Sequence, residues 1–556
     1  MDSPIKKDQK RQTPLGKSEG GPSKSAKNAR GGRQNRWSAV RRVLAAFSLL
    51  AITALFLDLS GTLHGWLGWL AKLQLLPAIM AANFAVIAGI AVVTLLFGRI
   101  YCSVICPLGI FQDGVSHLSG LRQGNRRRGE KRPGGSKRLR FGWKPERRWL
   151  RYGVFTVFVL ALIFGIHVLV AVLAPYSAYG RMVGNLLQPL WLWGNNLLAK
   201  IAEHYDSYAF YTRDVWLKSL PTLIVAGLTF VVLSVLAWWN GREYCNSICP
   251  VGTALGLLSR FAMFRPVIDA DKCKNCKLCE KGCKSSCIDI ANHKIDYSRC
   301  VDCLNCLDAC KFDALHYRFG WKPAEITEKA GEEKPRVARV SEGSLPSDPG
   351  RRAFLTGTAM VAGALTLDAQ AQKVDGGFAK VLPKREPERE GRLVPPGARS
   401  ANDFYSRCTA CGLCVAACPN GVLRPSGDLE HLMQPHMSFE RGYCRPECTE
   451  CSRVCPAGAI LPITPEEKTD ISIGIAEVDY ELCVVNRDGV NCGNCARHCP
   501  THAIHMVAKE GSEFRIPSVD TSLCIGCGTC EYLCPSRPYS AIRVNGRVKH
   551  INISES

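Results

Sequence analysis

The 556-residue sequence contains no G-x-G-x-x-G opening a helix, no P-loop, no H-E-x-x-H and no C-x-x-C-H. Dinucleotide, nucleoside-triphosphate, zinc-hydrolase and covalent-haem chemistry therefore leave no signature in it. Acidic residues are scarce, with 48 Asp and Glu against 71 Lys and Arg and a formal charge of +23. No nucleic-acid recognition motif accompanies the excess, so no nucleic-acid partner is expected. The basic residues cluster beside apolar runs instead, where they mark the cytoplasmic side of a membrane. Cysteine is what the sequence has in plenty. There are 29, an odd number gathered in tight groups, which a disulfide framework would not produce.

Four runs, about 43–59, 78–98, 152–174 and 218–239, are apolar enough to span a bilayer, which takes roughly 20 helical residues. The segments between them alternate in charge: 1–42 and 122–151 are basic, while 60–77 holds only Lys72 and 175–217 is close to neutral. The positive-inside rule then places the amino terminus and the 122–151 loop in the cytoplasm. The expected organisation is a basic disordered tail at 1–42, a four-span domain at 43–260, a cytoplasmic cysteine block at 261–320 and a polar linker at 321–350. A signal-like segment follows at 351–372, with a second, larger cysteine domain at 373–556. The signal-like stretch, RRAFLTGTAMVAGALTLDAQAQ, has paired arginines, a weakly apolar run and a small-residue AQA. It reads as a twin-arginine export signal acting as a fifth crossing, or as an ordinary helix behind two arginines.

CKNCKLCEKGC at 273–283 and CVDCLNCLDAC at 300–310 both follow C-x2-C-x2-C-x3-C. In that ferredoxin spacing three thiolates hold one [4Fe-4S] cluster and the fourth reaches the neighbouring cluster. The exchange gives Cys273, Cys276, Cys279 and Cys310 for one cluster, and Cys300, Cys303, Cys306 and Cys283 for the other. Cys287 is left as a free thiol nearby. Sixteen further cysteines form four groups that each end in Cys-Pro. They are Cys408, Cys411, Cys414 and Cys418; Cys444, Cys448, Cys451 and Cys455; Cys483, Cys492, Cys495 and Cys499; and Cys524, Cys527, Cys530 and Cys534. Zinc sites use two separated pairs, whereas three ligands are bunched here, so iron–sulfur is the better reading. Six clusters with no other catalytic constellation imply an electron relay.

GRIYCSVICPLG at 98–109 returns 143 positions later as GREYCNSICPVG at 241–252, each copy closing an apolar run. Cys102 and Cys106, like Cys245 and Cys249, are spaced to share a helix face ahead of Pro107 and Pro250. If the two halves are an internal duplication, their ends could meet and bring four sulfurs together. A shared metal or cluster, a pair of redox-active dithiols, and four structural thiols all remain open. Within the spans His167 is the clearly ionisable residue, able to accept a quinol proton or merely to bond a neighbouring helix.

With these motifs in view, the amino-terminal half resembles the NapH/MauN family of membrane quinol dehydrogenase subunits and the corresponding part of NosR. The carboxy-terminal half, from RRAFL through CVVNRDGVNCGNCARHCP, resembles the NapG/MauM ferredoxin family, so the chain looks like a fusion of two partners. The resemblance implies a membrane α-helical bundle of four spans plus a fifth, with two α+β ferredoxin-like iron–sulfur domains, in a bacterial inner membrane. It implies oxidation of a quinol at the repeated cysteine pairs and relay of electrons through six [4Fe-4S] clusters to a periplasmic redox protein. A redox maturation factor or a redox sensor is the alternative. Polyferredoxins of this type also imply exchange between first and last motifs and between the middle two. That puts Cys408, Cys411 and Cys414 with Cys534, Cys524, Cys527 and Cys530 with Cys418, Cys444, Cys448 and Cys451 with Cys499, and Cys483, Cys492 and Cys495 with Cys455.

Overall fold

The structure is a computed structural model that describes residues 24–58, 61–129, 141–320, 382–509 and 513–555. The expected linker and twin-arginine segment lie outside the described residues, as does most of the basic tail. The chain divides into two compact units. One comprises Met1–Ala51, Ala88–Thr156 and Val231–Gly320; the other comprises Ile52–Ile87, Val157–Phe230 and Trp321–Ser556.

Among the described residues, two helices are long and apolar enough to cross a membrane, Arg36–Leu57 and Leu220–Asn240. On them large apolar side chains such as Leu50 and Leu228 are exposed, while Leu55, Phe56 and Leu233 are buried. The other two expected spans are interrupted. The run at 78–98 turns at Ala82, φ 52°, and continues as the 14-residue helix Phe84–Phe97. The run at 152–174 is two helices, Arg148–Ile163 and His167–Leu173, separated at Gly165, whose φ of 71° only glycine adopts without strain. Hydropathy had merged these pieces because it measures composition and not backbone angle.

In the first unit each repeated motif is a one-turn helix, a break, and a longer helix begun by proline. The pieces are Ile100–Val104 then Pro107–Gly129, and Glu243–Ser247 then Pro250–Ser259. Proline suits the first helical turn, where its missing N–H is not needed. The cysteine block follows, framed by the antiparallel pair Phe264–Ile268 and Leu315–Phe319, with Phe264 opposite Phe319. Helices Leu278–Gly282 and Asn305–Ala309 pack inside this frame around Cys279, Cys283, Cys306 and Leu307.

In the second unit the carboxy-terminal domain is built on Ile471–Val478 paired antiparallel with Ile542–Asn552, beside the pair Ile504–Val507 and Ile516–Val519. The same unit includes 157–230, and the two parts are in contact. Arg213 donates to the Pro419 carbonyl at 3.3 Å, Arg181 to the Ala410 carbonyl at 3.3 Å, and Trp216 lies under Arg424 and Arg441.

Four of the six cysteine loops share one backbone device. The residues either side of the second cysteine are left-handed: Asn275 and Lys277, Asp302 and Leu304, Ala410 and Gly412, Gly526 and Gly528. Such residues turn successive N–H groups toward one concave face, a cradle for an anionic group. The loops through Cys448 and Cys492, with three and eight residues before that cysteine, lack the pattern.

Candidate metal centres

The two repeated motifs form one junction. Cys102, Cys106, Cys245 and Cys249 are all buried, and Cys102, Cys106 and Cys245 lie close enough for their charges to act on Cys249. The expected single helix face is not how they meet. Cys106 and Cys249 lie beyond the short helices, their N–H groups reaching back to the carbonyls of Tyr101 and Tyr244 at 3.0 and 2.9 Å. The proline that follows breaks the helix between the two thiols of each pair.

What ties the halves together is reciprocal. Arg99 of the first motif donates to the Cys245 carbonyl at 3.2 Å, and Arg242 of the second donates to the Cys102 carbonyl at 2.6 Å. Both guanidiniums are fully buried. Gly109 and Gly252 complete the match, because a side-chain carbon on either would collide with the cysteine carbonyl of its own motif. The symmetry ends at Gln112, which donates to the Cys245 sulfur at 3.3 Å, whereas Leu255 stands at the equivalent position.

Asp113 balances the charge. It meets Arg242 at 2.8 Å, Lys284 at 3.3 Å and Arg41 at 3.6 Å. Burial alone would raise its carboxyl, but Arg242 and Lys284 outweigh burial and hold it well below the usual carboxylate range. Burial, followed by the neighbouring Cys102 and Cys245, pushes the Cys106 thiol up to about 12. Four such sulfurs become thiolates together only if a bound cation or positively charged group compensates them.

The junction abuts the first cysteine block. The Arg242 N–H donates to the Lys284 carbonyl at 3.0 Å, next to Cys283, and Arg99 donates to the Ser298 carbonyl at 3.1 Å, two residues before Cys300. That block holds two cavities. One is lined by Cys273, Cys276, Cys279 and Cys310, the other by Cys283, Cys300, Cys303 and Cys306 together with Cys287. The Cys287 sulfur is 3.5 Å from that of Cys283 and within bonding reach of Cys300. The FGWKP segment at 141–145 docks on the same block, with the Lys144 N–H donating to the Ser286 carbonyl and the Lys144 carbonyl accepting from Arg299.

In the carboxy-terminal domain the grouping differs from the expected first-with-last exchange. Helix Leu413–Ala417 packs on Glu450–Val454, and Asn494–Arg497 packs on Thr529–Leu533. Cys455, not Cys534, acts on Cys408, Cys411 and Cys414. Cys418 acts on Cys444 and Cys451, Cys534 on Cys495 beside Cys483 and Cys492, and Cys499 on Cys524 and Cys527. Each adjacent pair of motifs packs as its own two-helix unit, which brings the fourth cysteine of one motif beside the three of its neighbour. The two units touch where the Cys444 N–H donates to the Cys527 carbonyl at 3.0 Å.

These residues fit a cubane better than a single ion. Among the described residues no three His, Cys, Asp or Glu side chains converge on one point as a mononuclear ion requires. In the 273–310 block the cysteines instead surround two cavities, as thiolates at the corners of a cluster do. His167 opens its helix after Gly165, half-buried, near His431. Sequence reasoning missed Arg99, Arg242, Asp113 and the buried Lys468, which bonds the Arg445 and Cys448 carbonyls beside the second group. The two arginines stood inside the quoted repeat, and that recurrence was the available signal.

A model described as a 4Fe-4S binding domain matches residues 79–126 and 220–267, each segment containing one repeated motif, and another of the same description matches 293–316. A 4Fe-4S dicluster domain matches 407–459 and 490–537, segments that coincide with the two motif pairs the structure brings together. The methylamine utilization ferredoxin-type protein MauM of Methylobacillus flagellatus is 37% identical over 171 residues, 29% of this chain and 71% of that protein. MauM of Methylorubrum extorquens is 33% identical over 198 residues, 34% of this chain and 86% of its own. The ferredoxin-type protein NapG of Escherichia coli is 34% identical over 207 residues, 35% of this chain and 85% of its own. No solved structure matches the chain. With several 4Fe-4S domains and relatives matched over most of their length, this is an iron–sulfur electron-transfer chain that belongs to the MauM/NapG family of ferredoxin-type proteins.

Proposed function

We propose that the chain is a membrane-anchored relay that oxidises a quinol and passes its electrons to a periplasmic redox protein, its amino-terminal half serving as a NapH/MauN-like subunit. The observation that carries this reading is the four-thiol junction. Two copies of one motif, each closing an apolar run, lock together through Arg99 and Arg242 and abut a cysteine block with two cavities.

In this reading six [4Fe-4S] clusters are held by Cys273, Cys276, Cys279 and Cys310; Cys283, Cys300, Cys303 and Cys306; Cys408, Cys411, Cys414 and Cys455; Cys418, Cys444, Cys448 and Cys451; Cys483, Cys492, Cys495 and Cys534; and Cys499, Cys524, Cys527 and Cys530. A further metal or cluster occupies Cys102, Cys106, Cys245 and Cys249. Bound clusters supply one-electron redox changes, and the chain supplies thiolates, cationic side chains and exclusion of water. His167 is a proton acceptor for the quinol. Charge alternation puts the first cysteine block in the cytoplasm. The packing of the neutral 175–217 segment on the carboxy-terminal domain supports a periplasmic place for that domain.

The test is reduction of the anaerobically purified protein by a quinol analogue, followed in difference spectra. Reduction of the clusters is expected. Reduction by dithionite but never by quinol would overturn the reading and leave maturation or sensing as the role. The double variant Cys106→Ser/Cys249→Ser should stop electrons from quinol reaching the 273–310 block. Loss of about four iron atoms per chain in it supports a cluster at the junction, and unchanged iron supports dithiols.

A further inference from the structure

The end of the first long helix carries a group that the relay leaves unused. Asp58 follows helix Lys24–Leu57 and is buried, as is His64 in helix Thr62–Leu67. Asp58 Oδ2 meets His64 Nδ1 at 3.1 Å, and the same carboxylate accepts the backbone N–H groups of Gly61 and Leu63 at 3.0 and 2.9 Å. The carboxylate therefore fixes the imidazole with its Nδ1 proton directed at Asp58 and its Nε2 lone pair free. That Nε2 is buried and, among the described residues, has no hydrogen-bond partner. A buried polar atom left unpaired costs about 1–3 kcal/mol, which a ligand that bonded to it would recover.

Two observations place the segment that carries the pair. Gly61 lies against the Glu450 carboxylate, with 2.9 Å between a side-chain carbon placed there and Oε2, and Ala81 lies against Gly458. The segment that carries the pair thus flanks both ends of the stretch bearing Cys451 and Cys455. The same segment presents Trp66 and Trp69, 83% and 53% exposed, as aromatic side chains do at a membrane–water interface. Leu76 then packs with Val170 in the helix that His167 opens.

We propose that His64 Nε2 is the base that takes the hydroxyl proton of a quinol headgroup, with Asp58 as its positioning residue. This rests on the quinol-oxidising reading above and assigns that chemistry a place in the second unit. The quinol loses two O–H protons and two electrons. Nε2 accepts one proton, and His167, the acceptor proposed above, takes the other. The electrons leave singly to the clusters proposed at the Cys451 and Cys455 groups, and a quinone remains.

The experiment compares quinol-driven cluster reduction in wild type, His64→Asn and Asp58→Asn, all full-length and in the same lipid, with iron content and dithionite reduction as controls. Asparagine at 64 keeps a donor toward Asp58 and removes the distal base. Loss of a general base costs roughly 10²–10⁴-fold, so His64→Asn should fall by at least about 100-fold with iron and dithionite reduction unchanged. Asp58→Asn keeps one oxygen and so an acceptor for only one of the two backbone N–H groups; with iron content and dithionite reduction unchanged, it should lower kcat with KM unaltered, which a merely structural lesion would not do. A wild-type quinol rate in His64→Asn overturns the inference. If that variant loses iron, Asp58→Asn decides: an unchanged kcat overturns the assignment. Failure of the wild type itself to accept electrons from quinol overturns the quinol reading, and this inference falls with it.

Discussion

Replacing Asp113 by Asn is a direct test of the junction, because it removes one charge and almost no volume. The carboxylate faces Arg242 at 2.8 Å, Lys284 at 3.3 Å and Arg41 at 3.6 Å, and Arg242 is fully buried while holding the Cys102 carbonyl. Removing one partner of a buried ion pair typically costs about 3–5 kcal/mol, since the remaining charge is stranded. At about 2–4 °C per kcal/mol for a unit of this size, the first unit should melt roughly 6–20 °C earlier. Anaerobic heating followed by loss of cluster absorbance reads the shift. The sign of the pH effect is fixed by the depressed folded-state carboxyl. Its stabilisation is complete above the unfolded carboxylate range near about 4 and is lost as pH falls through the lower folded value. The gap between wild type and Asp113→Asn should therefore be constant from about pH 5 to 7 and close on further acidification. Adding Arg242→Met to the variant should cost less than the two single losses summed, as the pair then leaves together. A melting point for Asp113→Asn within about 2 °C of wild type, equivalent to no more than about 1 kcal/mol, would refute the reasoning.

The adjacent-motif exchange predicts that Cys455→Ser perturbs the spectrum of the cluster at Cys408, Cys411 and Cys414, while Cys534→Ser perturbs the one at Cys483, Cys492 and Cys495; the opposite pattern restores first-with-last exchange. Iron analysis without oxygen should give about 24 atoms per chain, or about 28 with a seventh cluster at the junction, and a value near eight with zinc making up the rest would end the polyferredoxin reading. A reporter active only when exported should be active after residue 550 and silent near residue 330, and activity at neither would mean that no crossing lies between them.

What the sequence made legible follows from range. In four of the six loops three thiolates of a cluster lie within seven residues, so C-x2-C-x2-C betrays the loop, and the other two keep a C-x2-C pair and the closing Cys-Pro. The fourth ligand of a cluster is set by which loops pack together, and in the carboxy-terminal domain that depends on helix pairs tens of residues apart. The first block was easier because its two motifs are adjacent and leave a single exchange. Hydropathy found the apolar runs but missed Gly165 and Ala82, which act through backbone angle. It also absorbed Asp58 into the first run, since one carboxylate at the end of an apolar helix hardly lowers the average. The repeat is the deepest case. Both arginines were visible as letters, yet neither has meaning within its own copy, because Arg99 completes Cys245 and Arg242 completes Cys102. A single copy would cost Arg242 both the Cys102 carbonyl and Asp113, and would leave Arg99 the Ser298 carbonyl but not that of Cys245, costs that burial in apolar surroundings makes large. The two copies are therefore stable only as a pair, and the recurrence across 143 positions is the description of one site written in halves.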